Sequence, residues 1–461
     1  MIEMTAEDST ALAALKKSLA SRVIGPHDPE YDAGRATFYA GIDRRPAAIV
    51  RVANAEEVSR VLVFASDNGW ELAVRSGGHS AAGHCVTEGG IVLDLSELRA
   101  LEINVSDRTA WVQSGLTAGA YTAAVGAHGL ATGFGDTGSV GIGGITLSGG
   151  IGYLVRKHSL TIDSLLESEI VTADGKILRV DSEQHPDLFW AIRGGGGNFG
   201  VVTRFKFRLH DVPHIVGGML ILPATPGIIA SFVAAAEEAP EELSAIGNVM
   251  NAPPMPFLPP DVHGKPIVMA TIVYSGDVEE GKKVVGRFQK LATPILDAVK
   301  VMPYHEIFPP EIPGYRPRAI GRTMFAEAIG KDTSEAILDQ LSRSSATIRV
   351  AQLRVLGGAM ARVPSVATAF AHRNERILVN VAAVYERPEE SAIHTRWVQN
   401  LAAVIPRRGS GAYVGFLGDE GSARILDAYP EKTWNRLAAV KRRYDPSNVF
   451  RLNQNIPPAP K

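Results

Sequence analysis

The chain has 461 residues, 45% of them apolar and 21% charged, with 47 Lys and Arg against 49 Asp and Glu for a formal charge of −2. At roughly 150 residues per domain this length suits two to three domains with ample core, and the lack of a basic surplus argues against a nucleic-acid partner. The single cysteine, Cys85, excludes an intrachain disulfide and points to a reducing compartment. The first residues, MIEMTAEDST, carry acids where a secretory signal needs a basic and then an apolar segment. No apolar run approaches the ~20 residues of a membrane span, so a cytoplasmic protein without a membrane partner is expected.

In chain order, residues 5–20 predict an amphipathic helix behind a polar cap. Residues 46–52, 72–75 and 91–95 read as short strands. Between two of them, residues 54–68 read as a helix, because Asn54 is a capping residue followed by early acids and apolar positions at helical spacing. A further helix is expected over 117–128, and residues 165–181 alternate on both sides of Asp174-Gly175, a hairpin signal. Residues 185–192 suggest a short helix opened by Pro186, and 201–209 an alternating strand. The first third is therefore α/β or α+β. Beyond residue 211, proline-rich loops at 251–262 and 302–318 separate strand-like runs such as 267–274 from helical runs such as 334–344. This predicts a second, α+β domain whose loops shape a pocket. A helix over 431–444 and an extended polar end close the chain.

Glycine is the most informative residue: nine fall between 133 and 152 and five between 193 and 200. Inside a helix or strand each costs ~1 kcal/mol relative to alanine. These stretches are therefore expected to be neither, and to let backbone approach something closely. The GxGxxG from Gly133 to Gly138 follows a helix rather than a strand, against a nicotinamide dinucleotide fold. Neither a Walker A sequence nor GxSxG occurs, so phosphoryl transfer and serine hydrolysis lack their usual signatures.

The segment 73–86, AVRSGGHSAAGHCV, is sharper. A strand ends at Arg75, Gly77 and Gly78 turn the chain, and His79 sits on a loop between small residues. Successive unhindered backbone N–H groups can form a nest for phosphate oxygens there, with Ser76 and Ser80 adding hydroxyl donors. The bland alternative is a tight turn with an incidental histidine. His79, His84 and Cys85 bring three ligand types together without the paired spacing of zinc sites, so no metal is expected. Cys85 reads as a small buried side chain.

In fixed order, RSGGHS (75–80), VGIGGITLSGGIGYLVRKHSLTID (140–163), LFWAIRGGGGNFGVVT (188–203) and RLAAVKRRYDPSNVFRLNQNIPP (436–458) resemble the berberine bridge enzyme-like flavoproteins, its bacterial members above all, within the vanillyl-alcohol oxidase superfamily. QLRVLGGAMARVP (352–364) is similar to the family's substrate domain. The resemblance implies an α+β fold with a bipartite PCMH-type FAD-binding domain from residues 1–210, completed by a C-terminal segment at 411–461. An α+β substrate domain on an antiparallel sheet would fill 211–410. It implies an FAD-dependent oxidase that moves hydride from a CH–OH or CH–NH carbon to flavin, with molecular oxygen reduced to peroxide. The substrate would be a small molecule such as a sugar, alkaloid, amine or other secondary metabolite. A dehydrogenase of the same fold with another acceptor and a catalytically silent flavin carrier are the alternatives.

By the same resemblance, His79 matches the histidine that is bonded to the 8α-methyl of FAD. Thr137, in TGSVG, stands where many relatives carry a cysteine as second tether, so a single covalent attachment is expected. Cofactor contacts are implied for Arg75, Ser76, Gly77, Gly78, Ser80 and Gly83, and for Thr137, Gly138, Gly141, Gly144, Gly149, Gly150 and Gly152. Asn198, Val201 and Val202 would line the ADP half, with Asn453 and Asn455 in the C-terminal tail. Tyr413 matches a tyrosine over the flavin that serves or assists as base, which needs a nearby cation or the flavin dipole to lower its pKa. Relatives often read YVNF where this chain reads YVGF (413–416). Asn380 falls where plant relatives carry a carboxylate or glutamine facing the substrate. An amide cannot act as base, so Tyr304 and Tyr385 stand in reserve.

Overall fold

The computed structural model describes residues 6–19 and 22–460. Its first helix is Ala6–Ser18; positions 5 and 20 of the expected span lie outside the described residues. The strand Ile91–Asp94 is buried throughout and runs parallel to both Ala48–Arg51 and Leu72–Arg75, which explains its uninterrupted apolar sequence. Val23–Ile24 adds an antiparallel edge. The helix Ala55–Asp67 begins as its sequence predicts, with the Asn54 side chain accepting from Glu57 N at 2.9 Å. It buries Val58, Val61, Leu62 and Ala65 against these strands. Leu72–Arg75 therefore ends at a fixed point and releases the chain into the turn that carries His79.

A second sheet is antiparallel, in the order Leu101–Asn104, Thr109–Gln113, Val201–Arg208, Leu165–Val171 and Ile177–Val180. The last two form the hairpin expected around Asp174-Gly175, and Gly175 takes the positive φ of +77° that its turn demands. Helices Ala118–Gly126, Ile142–Ser148 and Pro186–Ile192 contribute to its core, with Tyr121, Phe134, Phe205 and Phe207 fully buried. Ile142–Ser148 corrects the expectation that the stretch 133–152 holds no helix. Gly143 sits in that helix because Ser76 approaches it: a Cβ there would lie 3.1 Å from the Ser76 side chain. The propensity cost is thus offset by a close approach of the Ser76 side chain that alanine would crowd.

The third sheet has eight strands drawn from residues 215–385, all antiparallel. Helices Pro226–Glu238, Val278–Gln289, Lys331–Ser342 and Ser391–Ala403 cover one face through a core that includes Phe232, Phe288, Ile337 and Leu401. Across the sheet, Asn248 pairs in register with Gln352, and Gln352 with Asn380, so three amides form one row.

The helix Glu431–Tyr444 returns to the first half of the chain. Lys441 and Asp445 are completely buried and paired at 2.7 Å. Lys441 also donates to Asn198 O at 2.7 Å, and Asp445 accepts from Val449 N and Phe450 N at 2.8 and 2.9 Å. Removing one partner of a buried ion pair strands the other charge, at a cost of about 3–5 kcal/mol. Lys441→Met is therefore expected to lower the melting temperature strongly, checked by thermal unfolding beside the exposed control Lys282→Met.

Candidate active site

A cavity of about 730 Å3 lies where the glycine turns, the C-terminal tail and the amide row of the third sheet meet. Along one wall runs 76–80. Among the described residues, the backbone N–H groups of Gly77, Gly78 and His79 donate no hydrogen bond within the chain, while that of Ser80 is directed at the Cys85 sulfur. Such a run of free donors suits phosphate oxygens. The turn is pinned from behind: Ser76 Oγ donates to Ser114 O at 2.6 Å, so this hydroxyl fixes the loop. Gly77 and Gly141 meet backbone to backbone, and a Cβ on either would come within 2.7 Å of the other's Cα.

His79 lies in this wall with the Phe38 ring stacked on it, centroids 4.1 Å apart. Burial pushes its pKa down to about 4, so the imidazole is neutral at pH 7. His84 and Cys85 also reach the wall. Burial lowers His84 to about 4 and raises the Cys85 thiol.

Of the residues singled out from sequence, Ser76, Gly77, Gly78, His79, Ser80, Thr137, Gly141, Gly144, Asn198, Val201, Val202, Asn453, Tyr413 and Asn380 line the cavity. The Asn198 amide is a latch: it donates to Gly195 O at 2.9 Å and Gln454 O at 3.1 Å, and accepts from Ile456 N at 3.0 Å. Asn453 donates to Gly197 O at 3.1 Å. The tail is thereby stitched onto the second glycine run.

The others stand behind the wall. Arg75 is buried in an ion pair with Asp94 at 2.7 Å. The Gly83 carbonyl accepts from Arg44 and the Gly138 carbonyl from Gly119 N. The Gly149 carbonyl accepts from Ile162 N, and Gly150 N donates to the Tyr413 hydroxyl at 3.1 Å. Gly152 is pressed against the Phe134 carbonyl, and Asn455 lies outside the lining residues. Tyr304 is corrected as a reserve base: it is buried among Tyr153, Met302 and Ile307, its hydroxyl has no partner, and burial drives its pKa far up. Tyr385 is also buried, tilted against His394. Neither proline-rich loop, 251–262 or 302–318, contributes a lining residue.

Sequence reasoning missed the charged centre. Arg354, on Ile348–Val355, is 3% exposed. It donates to Asp136 Oδ2 at 2.7 Å, to Gln352 Oε1 at 2.6 Å and to Ile151 O at 3.1 Å, and lies over the Phe416 ring at 4.8 Å. It is a cation near Tyr413, as the sequence reading asked for, but Asp136 neutralises it. Burial pushes the Tyr413 phenol up to about 12, against the pull of the Gly150 N–H and the Arg354 guanidinium. Asp136 was in view, inside the GxGxxG, and Arg354 inside QLRVLGG; only the fold brings them together.

Residues 46–181 match the family model described as FAD binding domain, and 423–457 the one described as Berberine and berberine like. The chain is similar to (R)-6-hydroxynicotine oxidase of Paenarthrobacter nicotinovorans, 28% identical with 96% of this chain and 97% of that one covered. To an uncharacterized FAD-linked oxidoreductase of Bacillus subtilis it is 30% identical, with 96% and 98% covered. The chain belongs to the berberine bridge enzyme-like family. The crystal structure of 6-hydroxy-D-nicotine oxidase from Arthrobacter nicotinovorans superposes with a TM-score of 0.86 at 26% identity, over 96% of this chain and 98% of that one. This berberine bridge enzyme-like protein is thus an FAD-linked oxidoreductase, and its α+β fold is the PCMH-type FAD-binding fold with an antiparallel second sheet. The free N–H groups of 77–79 and the bare glycine backbone fit FAD, and about 730 Å3 falls within the ~300–1,000 Å3 usual for ligand sites.

Because folding lowers the pKa of His79 and His84 from 6.5 to about 4, the unfolded chain binds more protons between those values. Stability is expected to be complete above pH 6.5 and to fall as the pH drops toward 4. His79→Gln should reduce that fall, as measured by melting temperature across the pH series.

Proposed function

We propose that this enzyme is an oxidase holding FAD through one covalent bond from His79 and taking hydride from a CH–OH or CH–NH carbon of a small molecule, with molecular oxygen as acceptor. The observation that carries the reading is His79: a neutral imidazole beside free backbone N–H groups in the wall of the cavity. In this reading residues 1–210 and 411–461 form the FAD half and 211–410 the substrate half, in the cytoplasm. The name of a relative, (R)-6-hydroxynicotine oxidase, supports an oxidase acting on a small molecule.

Bound FAD supplies a two-electron acceptor. The N–H groups of 77–79 would hold its pyrophosphate, Gly141 and Gly144 would allow close approach, Asn198, Val201 and Val202 would line the ADP half, and Asn453 would meet the pyrimidine edge. Thr137 has no thiol, which leaves His79 as the single tether. On the opposite side, Asn380 and Gln352 orient the substrate by hydrogen bonds. Tyr413 assists as base: Arg354 and the Gly150 N–H favour its phenolate, while burial and Asp136 oppose it. With the phenol held up to about 12, the rate of flavin reduction rises with pH.

Three measurements check this. The acid-precipitated protein is expected to stay yellow, and that of His79→Ala to be colourless; a colourless wild-type pellet contradicts the tether. Photoreduced flavin exposed to air should reoxidise rapidly with one peroxide per flavin, whereas reoxidation over minutes would assign a dehydrogenase. With a substrate found among sugars, alkaloids and alcohols, Tyr413→Phe should slow anaerobic flavin reduction by about 10²-fold and abolish its alkaline rise.

A further inference from the structure

The His79 ring has one aromatic neighbour among the described residues, Phe38, with 19° between the two planes. Its ring nitrogens have no hydrogen-bond partner among those residues, and desolvation alone shifts its pKa. Histidine rings are ordinarily oriented by a hydrogen bond on one nitrogen. Here the flat face of Phe38 takes that place.

Phe38 is itself fixed from two directions. Its N–H donates to Gly78 O at 3.0 Å, which ties it to the turn that carries His79. On either side of it, Thr37 O accepts from Arg316 Nε at 2.7 Å and Ala40 N donates to Pro317 O at 3.0 Å. Tyr39 and Tyr315 meet the Phe38 ring edge-on, with centroids at 5.0 and 6.4 Å. The proline-rich loop that misses the cavity wall thus acts one layer out, by clamping 37–40.

We propose that Phe38 is a positioning residue for cofactor attachment: stacked on His79, it holds the imidazole in one plane with a nitrogen lone pair open to the cavity. The proposal rests on the reading of His79 as the tether. In attachment, one C–H bond of the 8α-methyl and the imidazole N–H bond break and one C–N bond forms. The two electrons released pass through the flavin to dioxygen, which leaves as hydrogen peroxide with the two protons. Bond formation requires the lone pair to be aligned on the carbon, and alignment is what a freely turning ring loses.

The test uses the full chain incubated with FAD in air, with covalent loading followed by intact mass of the denatured protein and non-covalent FAD by absorbance of the native protein. Phe38→Tyr should load at the wild-type rate. Phe38→Leu and Phe38→Ala should load about tenfold more slowly, the scale of a lost ring-on-ring contact, while still binding FAD. Rescue by Tyr and not by Leu, which keeps the bulk, separates stacking from packing, and Phe38→Leu decides the matter if Phe38→Ala does not fold. Wild-type loading rates in Phe38→Leu overturn the proposal and leave the tether intact. If the wild type carries no adduct, or His79→Ala keeps one, the tether fails and the proposal with it.

Discussion

Gly77 and Gly141 touch without side chains, each backbone N lying 2.2 Å from where the other's Cβ would stand. That contact joins two loops remote in sequence, one leaving the buried parallel strand Leu72–Arg75 and the other entering the helix Ile142–Ser148. With Ser76 fixed to Ser114 and Gly143 making room for Ser76, the 76–80 turn has one available path. The N–H groups of Gly77, Gly78 and His79 are taken by no acceptor among the described residues. The far end of the cavity is closed by the tail, through Asn198, Asn453 and the buried Lys441–Asp445 pair. Residues nearly 260 positions apart thus share one wall.

The site joins this glycine frame to an electrostatic centre on the third sheet. Arg354 alone would be an expensive buried cation; Asp136, Gln352 and the Ile151 carbonyl satisfy it. The pair links a strand of the antiparallel sheet to the loop before Thr137, so it sets how the two sides of the cavity face each other. It also fixes the charge that Tyr413 experiences, a compensated pair rather than a free cation.

Local patterns were legible in the sequence. The Asn54 cap, the Asp174-Gly175 turn, the strand before His79 and the helix Glu431–Tyr444 all follow from short-range chemistry that the structure repeats. Glycine density located the cavity but misjudged the helix Ile142–Ser148, because propensity takes no account of a side chain packed against the glycine from another loop. The second half was the harder part. Tyr304 resembled a reserve base only because burial cannot be seen in a tyrosine's letter, whereas Arg354, Asp136 and Phe38 owe their importance to strand register and loop crossings that span over two hundred residues.

The central claim is that FAD is joined to the chain at His79. Fragmentation of the tryptic peptide bearing His79, isolated from the denatured protein, tests it directly. The account predicts a flavin mass increment localised to that imidazole and none on the peptide containing Thr137. An unmodified His79 peptide, or an increment on another residue, would contradict it.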